Sequence, residues 1–475
     1  MFELNRRRFL EASVAVGAAA ISRPLAAARL LDAKTLTVGT RTLEVKGRAA
    51  RVWGIAGPGG RQGLTLGPGE PFLVSLKNDI TEATLLHWHG QIPPYQQDGV
   101  PDISQPALKP GGVYRYDFRA RPGSFWMHSH VGLQRQKLLS APLIVRSAED
   151  VKADMQDVTL FLHDFTFKPA EEILAGLKRG MDGQKHGGMA MKDRPPEQMK
   201  MAAMRMHLND VDFDAYLAND RTLEDPDVVR VEPGGRVRLR VINGAASTNF
   251  WIDFGGLDTR LIAVDGNAIV PLAVKRIPLA MAQRADVIVN IPGRGGAWPV
   301  LALREGGVER TGIVLATKGA AVRRLPSHGE MKTKALDAAF ETRLQARRTL
   351  AAKEPDRELH LALTGGMSPY GWGLNGKVWG EHEVLGPKPG ERVRMMFENK
   401  TDMNHPMHLH GHHFQIVAFN GRPMKGAFRD TVLVPARGGK VVVDFDANQP
   451  GRWLLHCHNA YHMRSGMMTE LRYGV

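Results

Sequence analysis

PGERVRMMFEN (389–399) is one of three versions of the same phrase in this chain, the others being PGEPFLVSLKN (68–78) and PGGRVRLRVIN (233–243). Each opens on a Pro-Gly turn, runs through alternating apolar positions and closes on an Asn that can take the chain out of a strand. A period of two places the apolar side chains on one face of a sheet. A second phrase also recurs three times: PGSFWMHSH (122–130), PGRGGAWPVLALRE (292–305) and PGRWLLHCH (450–458). Two phrases repeated at both ends of three segments point to an all-β chain of three homologous β-sandwich domains, each of roughly a hundred-odd residues. The boundaries fall near Ser147–Ala153 and within Thr317–Pro355, giving domains at 29–150, 151–320 and 356–475. The linker, 321–355, contains an Ala/Arg/Glu-rich stretch at 332–353 that is expected to be helical. The first copy of the second phrase ends in HSH and the third in HCH, whereas the middle copy carries no metal ligand. The middle domain therefore reads as a spacer or a shaper of the interface.

The densest chemistry lies between His405 and Met467, in HPMHLHGHH (405–413) and HCHNAYHMRSGM (456–467). Cys457 is the only cysteine in 475 residues, so no disulfide can form within the chain and the thiol is free for metal. An isolated buried cysteine is usually an inert small hydrophobe, but this one stands between two histidines. On a strand, Cys457 points to one face while His456 and His458 point to the other. One short strand can thus serve two metal centres. A Cys, two His and a weak axial Met form a blue-copper site suited to one-electron transfer, and His405, Cys457, His462 and Met467 supply that set.

His408, His410, His456 and His458 are left for a second centre, and the N-terminal part of the chain has the remaining ligands. LLHWHG (85–90) sets His87 and His89 on one strand face, and FWMHSH (125–130) does the same with His128 and His130. One H-x-H pair is a weak signal, more often coincidence than ligand. Four pairs, two in each outer domain, are a strong one. Eight imidazoles suffice for three coppers if one takes two and the others three each. Ligands from both ends of the chain require the first and third domains to pack together over the cluster.

At the N-terminus, NRRRFLE (5–11) is a twin-arginine pattern followed by a short apolar run from Ala12 to Ile21 and by Ala26-Ala27-Ala28. Residues 1–28 read as an export signal, cleaved just before Arg29, and the run is too short to span a bilayer. The expectation is a soluble exported protein, periplasmic, with the twin-arginine export machinery as a partner. The formal charge of +14 is scattered among Gly and Pro turns, with no basic aromatic-laced module, so nucleic acid is not an expected partner.

The motifs HWHG, HSH, HPMHLHGH and HCHNAYHMRSGM together resemble those of the multicopper oxidases, nearest to the three-domain bacterial laccases, copper-efflux oxidases and copper-resistance oxidases. The resemblance spans the chain beyond residue 28. It implies cupredoxin-like Greek-key domains and four copper ions. It implies that His405, Cys457, His462 and Met467 bind type 1 copper, and that His87 and His408 bind type 2 copper. One type 3 copper would take His89, His128 and His458, the other His130, His410 and His456. Electrons would pass from a small reducing substrate to the type 1 site, then from Cys457 through His456 and His458 to the trinuclear site, where O2 becomes two waters. His412 and His413 fall outside the matched positions and read as packing groups or supports. Many bacterial relatives carry a Glu directly after the second type 1 histidine, where this chain has Met463. Asp98, in QQDGVPD, matches the family's acid near type 2 copper and is the candidate for passing protons, although an Asp-Gly turn explains it equally well locally.

MDGQKHGGMAMKDRPPEQMKMAAMRMH (181–207) holds seven methionines and two histidines. Methionine stripes are more often core packing, yet the surrounding Gly, Lys, Asp and Pro oppose burial. Thioethers suit Cu(I), which makes Met189, Met191, Met199, Met201, Met204 and Met206 candidates for recruiting it. The expected activity is oxidation of Cu(I), phenols or aromatic amines, in copper tolerance. The alternatives are a Mn(II) or Fe(II) oxidase and a non-enzymatic periplasmic copper-binding protein.

Overall fold

The computed structural model describes residues 33–179 and 208–475, so the expected signal and the methionine-rich segment 181–207 lie outside the described residues. The fold is all-β, with six sheets among the described residues. They come in three pairs along the chain, forming cupredoxin-like Greek-key sandwiches. In the first pair, one sheet holds Lys34–Val45, Arg48–Ala56, Phe72–Asn78 and Val113–Phe118; the other holds Leu64–Leu66, Leu86–His89, Gly123–Ser129 and Ser140–Val145. The middle pair has six and five strands, and the last has seven and four.

The repeated phrase has the same place in all three sandwiches. Phe72–Asn78, Arg236–Asn243 and Arg392–Asn399 each pair parallel with the opening strand of their own domain and antiparallel with a later one. Their alternating apolar residues face inward: Phe72, Val74 and Leu76, then Val237, Leu239 and Val241, then Val393, Met395 and Phe397 are all buried. Each such side chain contributes roughly 1.5–3 kcal/mol by burial. The closing Asn is fully buried each time and does the same work each time. Its Oδ1 accepts the N–H two residues on (Ile80, Ala245, Thr401), at 2.9–3.1 Å. Its Nδ2 donates to two carbonyls: Glu82 and Leu108, Thr248 and Leu279, or Met403 and Val434. Asn is required because only an amide supplies both donors and the acceptor at that reach.

The expected helix over 332–353 is not there. This stretch has one 3-10 turn, Ala338–Arg343, and otherwise runs extended. Helix-favouring composition loses to burial: the buried apolar positions are Leu336, Ala338, Phe340, Leu344 and Ala346, with even gaps between them, and the buried Glu341 between Phe340 and Leu344 is held by Arg429. That spacing suits an extended strap. Ala346 forms a bridge to Ile269, and Phe340 and Leu344 join the core of the middle domain.

Candidate metal centre

Two antiparallel strand pairs aim the eight histidines at one another. Leu86–His89 runs against Gly123–Ser129 with His87 opposite His128; His405–Leu409 runs against Gly451–Cys457 with His408 opposite His456. Alternation does the rest, placing each H-x-H pair on one face. Across the junction of the outer domains, His87 stacks on His410 and His89 on His408, both with centroids 3.8 Å apart. Ring nitrogens converge in three places. His87 Nε2 is 3.4 Å from His408 Nε2. His128 Nε2 lies 3.4 Å from His89 Nδ1 and 3.3 Å from His458 Nε2. His410 Nε2 lies 3.1 Å from His456 Nε2, with His130 in the same group; its Nε2 is buried and has no hydrogen-bond partner.

Most outward-facing nitrogens are held. His87 Nδ1 donates to the Asp98 carbonyl (2.9 Å), His408 Nδ1 to the Asp430 carbonyl (2.8 Å), His456 Nδ1 to the Cys457 carbonyl (2.9 Å) and His128 Nδ1 to the Ser129 carbonyl (3.2 Å). His410 Nδ1 donates to Asp98 Oδ2 (2.8 Å) and His89 Nε2 to Asp430 Oδ1 (3.1 Å). His458 Nδ1 instead accepts from the buried Arg135 guanidinium at 2.5 Å. Such outer contacts fix tautomer and ring direction in metal sites. Burial, then neighbouring positive charge, pushes His89, His128, His130, His410 and His458 well below the usual imidazole range. Burial pushes His456 down to about 3. These rings are therefore neutral, and those whose outer nitrogen donates (His89, His128, His410 and His456) turn a lone pair inward for metal, whereas His458 presents Nε2 only once the Arg135 contact to its Nδ1 is given up.

The second group lies on the opposite face of the Cys457 strand. Cys457 Sγ is 3.6 Å from His405 Nδ1 and 3.7 Å from His462 Nδ1, and the two nitrogens are 3.0 Å apart. Met467 is fully buried beside them, its carbonyl accepting the Cys457 N–H. His462 rides on the short helix Ala460–Arg464, whose cap Asn459 accepts the N–H of Tyr461 and of His462. The outer nitrogens are again engaged: His405 Nε2 with Thr401 Oγ1 at 2.8 Å, and His462 Nε2 at 2.9 Å from Asp210 Oδ2. Trp372 stacks on His462 at 4.1 Å. Burial pushes the Cys457 thiol up, so its thiolate needs a cation to form. One thiol, two imidazoles and a thioether on one face against eight imidazoles on the other is a donor set that fits copper.

Asp98 caps the turn Tyr95–Gln97 and is fully buried, with Oδ2 on His410 Nδ1 and Oδ1 3.1 Å from His87 Nδ1. His412 bonds the His410 carbonyl and the Tyr473 hydroxyl, and His413 bonds the Gly90 carbonyl and Asn267. Sequence reasoning passed over Asp430, Arg284, Arg135 and Asp210, single charged residues among many with no spacing to mark them. The glycine of HWHG was also unexplained. Gly90 has φ +86°, and a Cβ there would collide with the Arg284 guanidinium and the Asp430 carboxylate.

Three multicopper oxidase family models match residues 37–150, 156–320 and 352–474. The chain is 31% identical to multicopper oxidase MmcO of Mycobacterium tuberculosis, over 85% of this chain and 80% of that one. It is 26% identical to copper resistance protein A of Escherichia coli, over 99% of both. Its fold matches the crystal structure of Fet3p, a multicopper oxidase that functions in iron import, with a TM-score of 0.75 at 18% identity over 93% of this chain and 90% of that one. A multicopper oxidase from Pseudomonas thermotolerans gives 0.69 at 24% identity, over 93% and 98%. Matches over most of its length, on a β-sandwich frame that gathers these histidines and the thiol, make this chain a member of the multicopper oxidase family, oxidoreductases that use four copper ions and O2.

Proposed function

We propose that this chain takes electrons one at a time at a type 1 copper held by His405, Cys457, His462 and Met467, and delivers them to a trinuclear centre that reduces O2 to water. In this reading His87 and His408 hold type 2 copper, while His89, His128 and His458, and His130, His410 and His456, hold the type 3 pair. The carrying observation is the Cys457 strand. Its thiol faces His405 and His462, while the flanking His456 and His458 belong to two different histidine groups on the other face. Copper bound in these sites supplies one-electron acceptance beside Cys457 and O2 reduction among the eight histidines. The chain supplies the covalent path through two peptide units, rings locked by outer hydrogen bonds, and a site closed to bulk water. Asp98, with Oδ1 3.1 Å from His87 Nδ1 and Oδ2 2.8 Å from His410 Nδ1, is the group that passes protons to the oxygen end. Asp210, 2.9 Å from the outer nitrogen of His462, fixes the direction of that ring.

For the reducing substrate the reading is Cu(I), with phenols and aromatic amines as further donors, in periplasmic copper tolerance after twin-arginine export. Relatives named copper resistance protein A and laccase support it, as does the methionine content of 181–207. The test is O2 uptake by the copper-loaded protein with Cu(I), Mn(II), Fe(II) or a phenol. It is repeated after replacing 181–207 with a short Gly/Ser linker. The reading expects Cu(I) oxidation to fall far more than phenol oxidation. Equal loss of both would remove the segment from copper recruitment, and no O2 uptake with any donor would overturn the oxidase itself.

A further inference from the structure

The middle domain supplies no ligand, yet one of its side chains reaches the histidine cluster. Arg284 is fully buried and touches all three domains. Its Nε donates to the Ser124 carbonyl of the first domain (3.1 Å) and its Nη1 to the Ala282 carbonyl of its own (3.1 Å). The same guanidinium forks onto Asp430 of the third, Nη1 to Oδ1 at 2.8 Å and Nη2 to Oδ2 at 2.5 Å. Asp430 in turn holds two cluster rings: Oδ1 takes the His89 Nε2–H, and the main-chain carbonyl takes the His408 Nδ1–H. The neighbouring residue is gripped as well. Arg429 Nη1 lies 3.3 Å from Asp265 Oδ1, which also accepts the Arg284 N–H, and Arg429 Nε donates to Glu341 Oε2 of the strap at 3.1 Å. Buried charges thus alternate from the cluster outward: Asp430, Arg284, Asp265, Arg429, Glu341.

Stability alone gives little reason for this arrangement, because a buried ion pair is often no better than well-packed apolar residues. Orientation gives one. A forked guanidinium fixes a carboxylate in plane and direction, which a lysine cannot do. With Asp430 fixed, His89 must present Nδ1 to the cluster and His408 must present Nε2, so one residue sets both tautomers.

We infer that Arg284 is a positioning residue for the trinuclear centre, by which the domain without ligands holds Asp430 and, through it, the His89 and His408 rings in register. This rests on the ligand assignment proposed above. The decisive variant is Arg284→Lys, which keeps the charge and loses the fork; Asp430→Asn is its companion, keeping Oδ1 for His89 while turning an amide toward Arg284. Each is loaded with copper and compared with the parent by the blue absorption, the type 2 electron paramagnetic resonance signal, copper content after chelator titration, and O2 turnover. The expected result is an unchanged blue band, an altered type 2 signal with weaker copper retention, and turnover lower by roughly tenfold or more, within the ~10–100-fold range of such outer contacts. If only one variant folds, as judged by its blue band, its type 2 signal decides. A parent-like type 2 signal, copper retention and turnover would overturn the inference. His408→Ala separates this from the underlying assignment. If it retains the type 2 signal, the ligand reading falls; if it loses the signal while Arg284→Lys does not, only the positioning role falls.

Discussion

Asp98 Oδ2 stands 2.8 Å from His410 Nδ1, joining a carboxylate of the first domain to a ring of the third. The same residue's carbonyl holds His87, so Asp98 spans the junction that the cluster also spans. Asp98→Asn preserves shape and an acceptor oxygen but carries no proton to give. Copper content and blue colour should be retained, with O2 reduction slowed roughly 10–100-fold and more dependent on pH. Unchanged turnover from acid to neutral pH, with full copper, would return Asp98 to a turn residue.

Cys457→Ser removes the thiol that the proposed type 1 site needs for a blue copper–thiolate band. The variant should be colourless near ~600 nm, as expected of a site without a copper–thiolate bond, while the copper held by the eight histidines remains. A surviving blue band would show that another residue is the ligand.

The three strand-exit asparagines offer a test of architecture without touching chemistry. Asn243→Ala, in the domain without ligands, leaves the Thr248 and Leu279 carbonyls and the Ala245 N–H without their partner. Stranding buried polar groups costs about 1–3 kcal/mol each, so a loss of roughly 3 kcal/mol is expected. Thermal melting should fall by several degrees with copper stoichiometry intact. A melt within error of the parent would mean the asparagine is replaceable there.

Acid should unfold the copper-free protein early. Burial holds His89, His128, His130, His408, His410 and His458 of the cluster well below the usual imidazole range, with His456 at about 3, and it holds His163 and His412 outside the cluster at about 4. Unfolded histidine titrates near ~6.5, so below that pH the unfolded chain binds protons that the native one refuses. Stability is therefore full above about 6.5 and lost progressively as pH falls toward these depressed values, by up to about 1.4 kcal/mol per histidine per pH unit. Melting of the copper-free protein followed from pH 7.5 to 5 should show a steep decline. A flat profile would mean the rings are solvated and charged when no metal is bound.

Much of the frame could be read directly because its signals are local and repeated. Alternation inside PGERVRMMFEN and its two siblings depends on nearest neighbours, and so does the shared face of each H-x-H pair. What could not be read is what depends on folding over long separations. Asp430, Arg284 and Asp210 acquire their meaning only when three domains meet, and nothing in the flanking residues distinguishes them from surface charges. The strap shows the reverse error. Alanine, arginine and glutamate at 332–353 favour helix in isolation, but Phe340 and Leu344 have a core to reach, and tertiary burial outweighs propensity.

The histidines of 87–130 and those of 405–458 close one cluster from opposite ends of the sequence. A chain with a single thiol has no disulfide of its own, and the proposed metal centre would take the place of one, fastening the first of its three domains to the third. A polypeptide halted anywhere before His405 would carry four of the eight rings and none of the thiolate site. On the proposed assignment, redox activity would be confined to chains made at least as far as Met467 and folded, because a product stopping short of it would lack part of the centre at which oxygen is reduced.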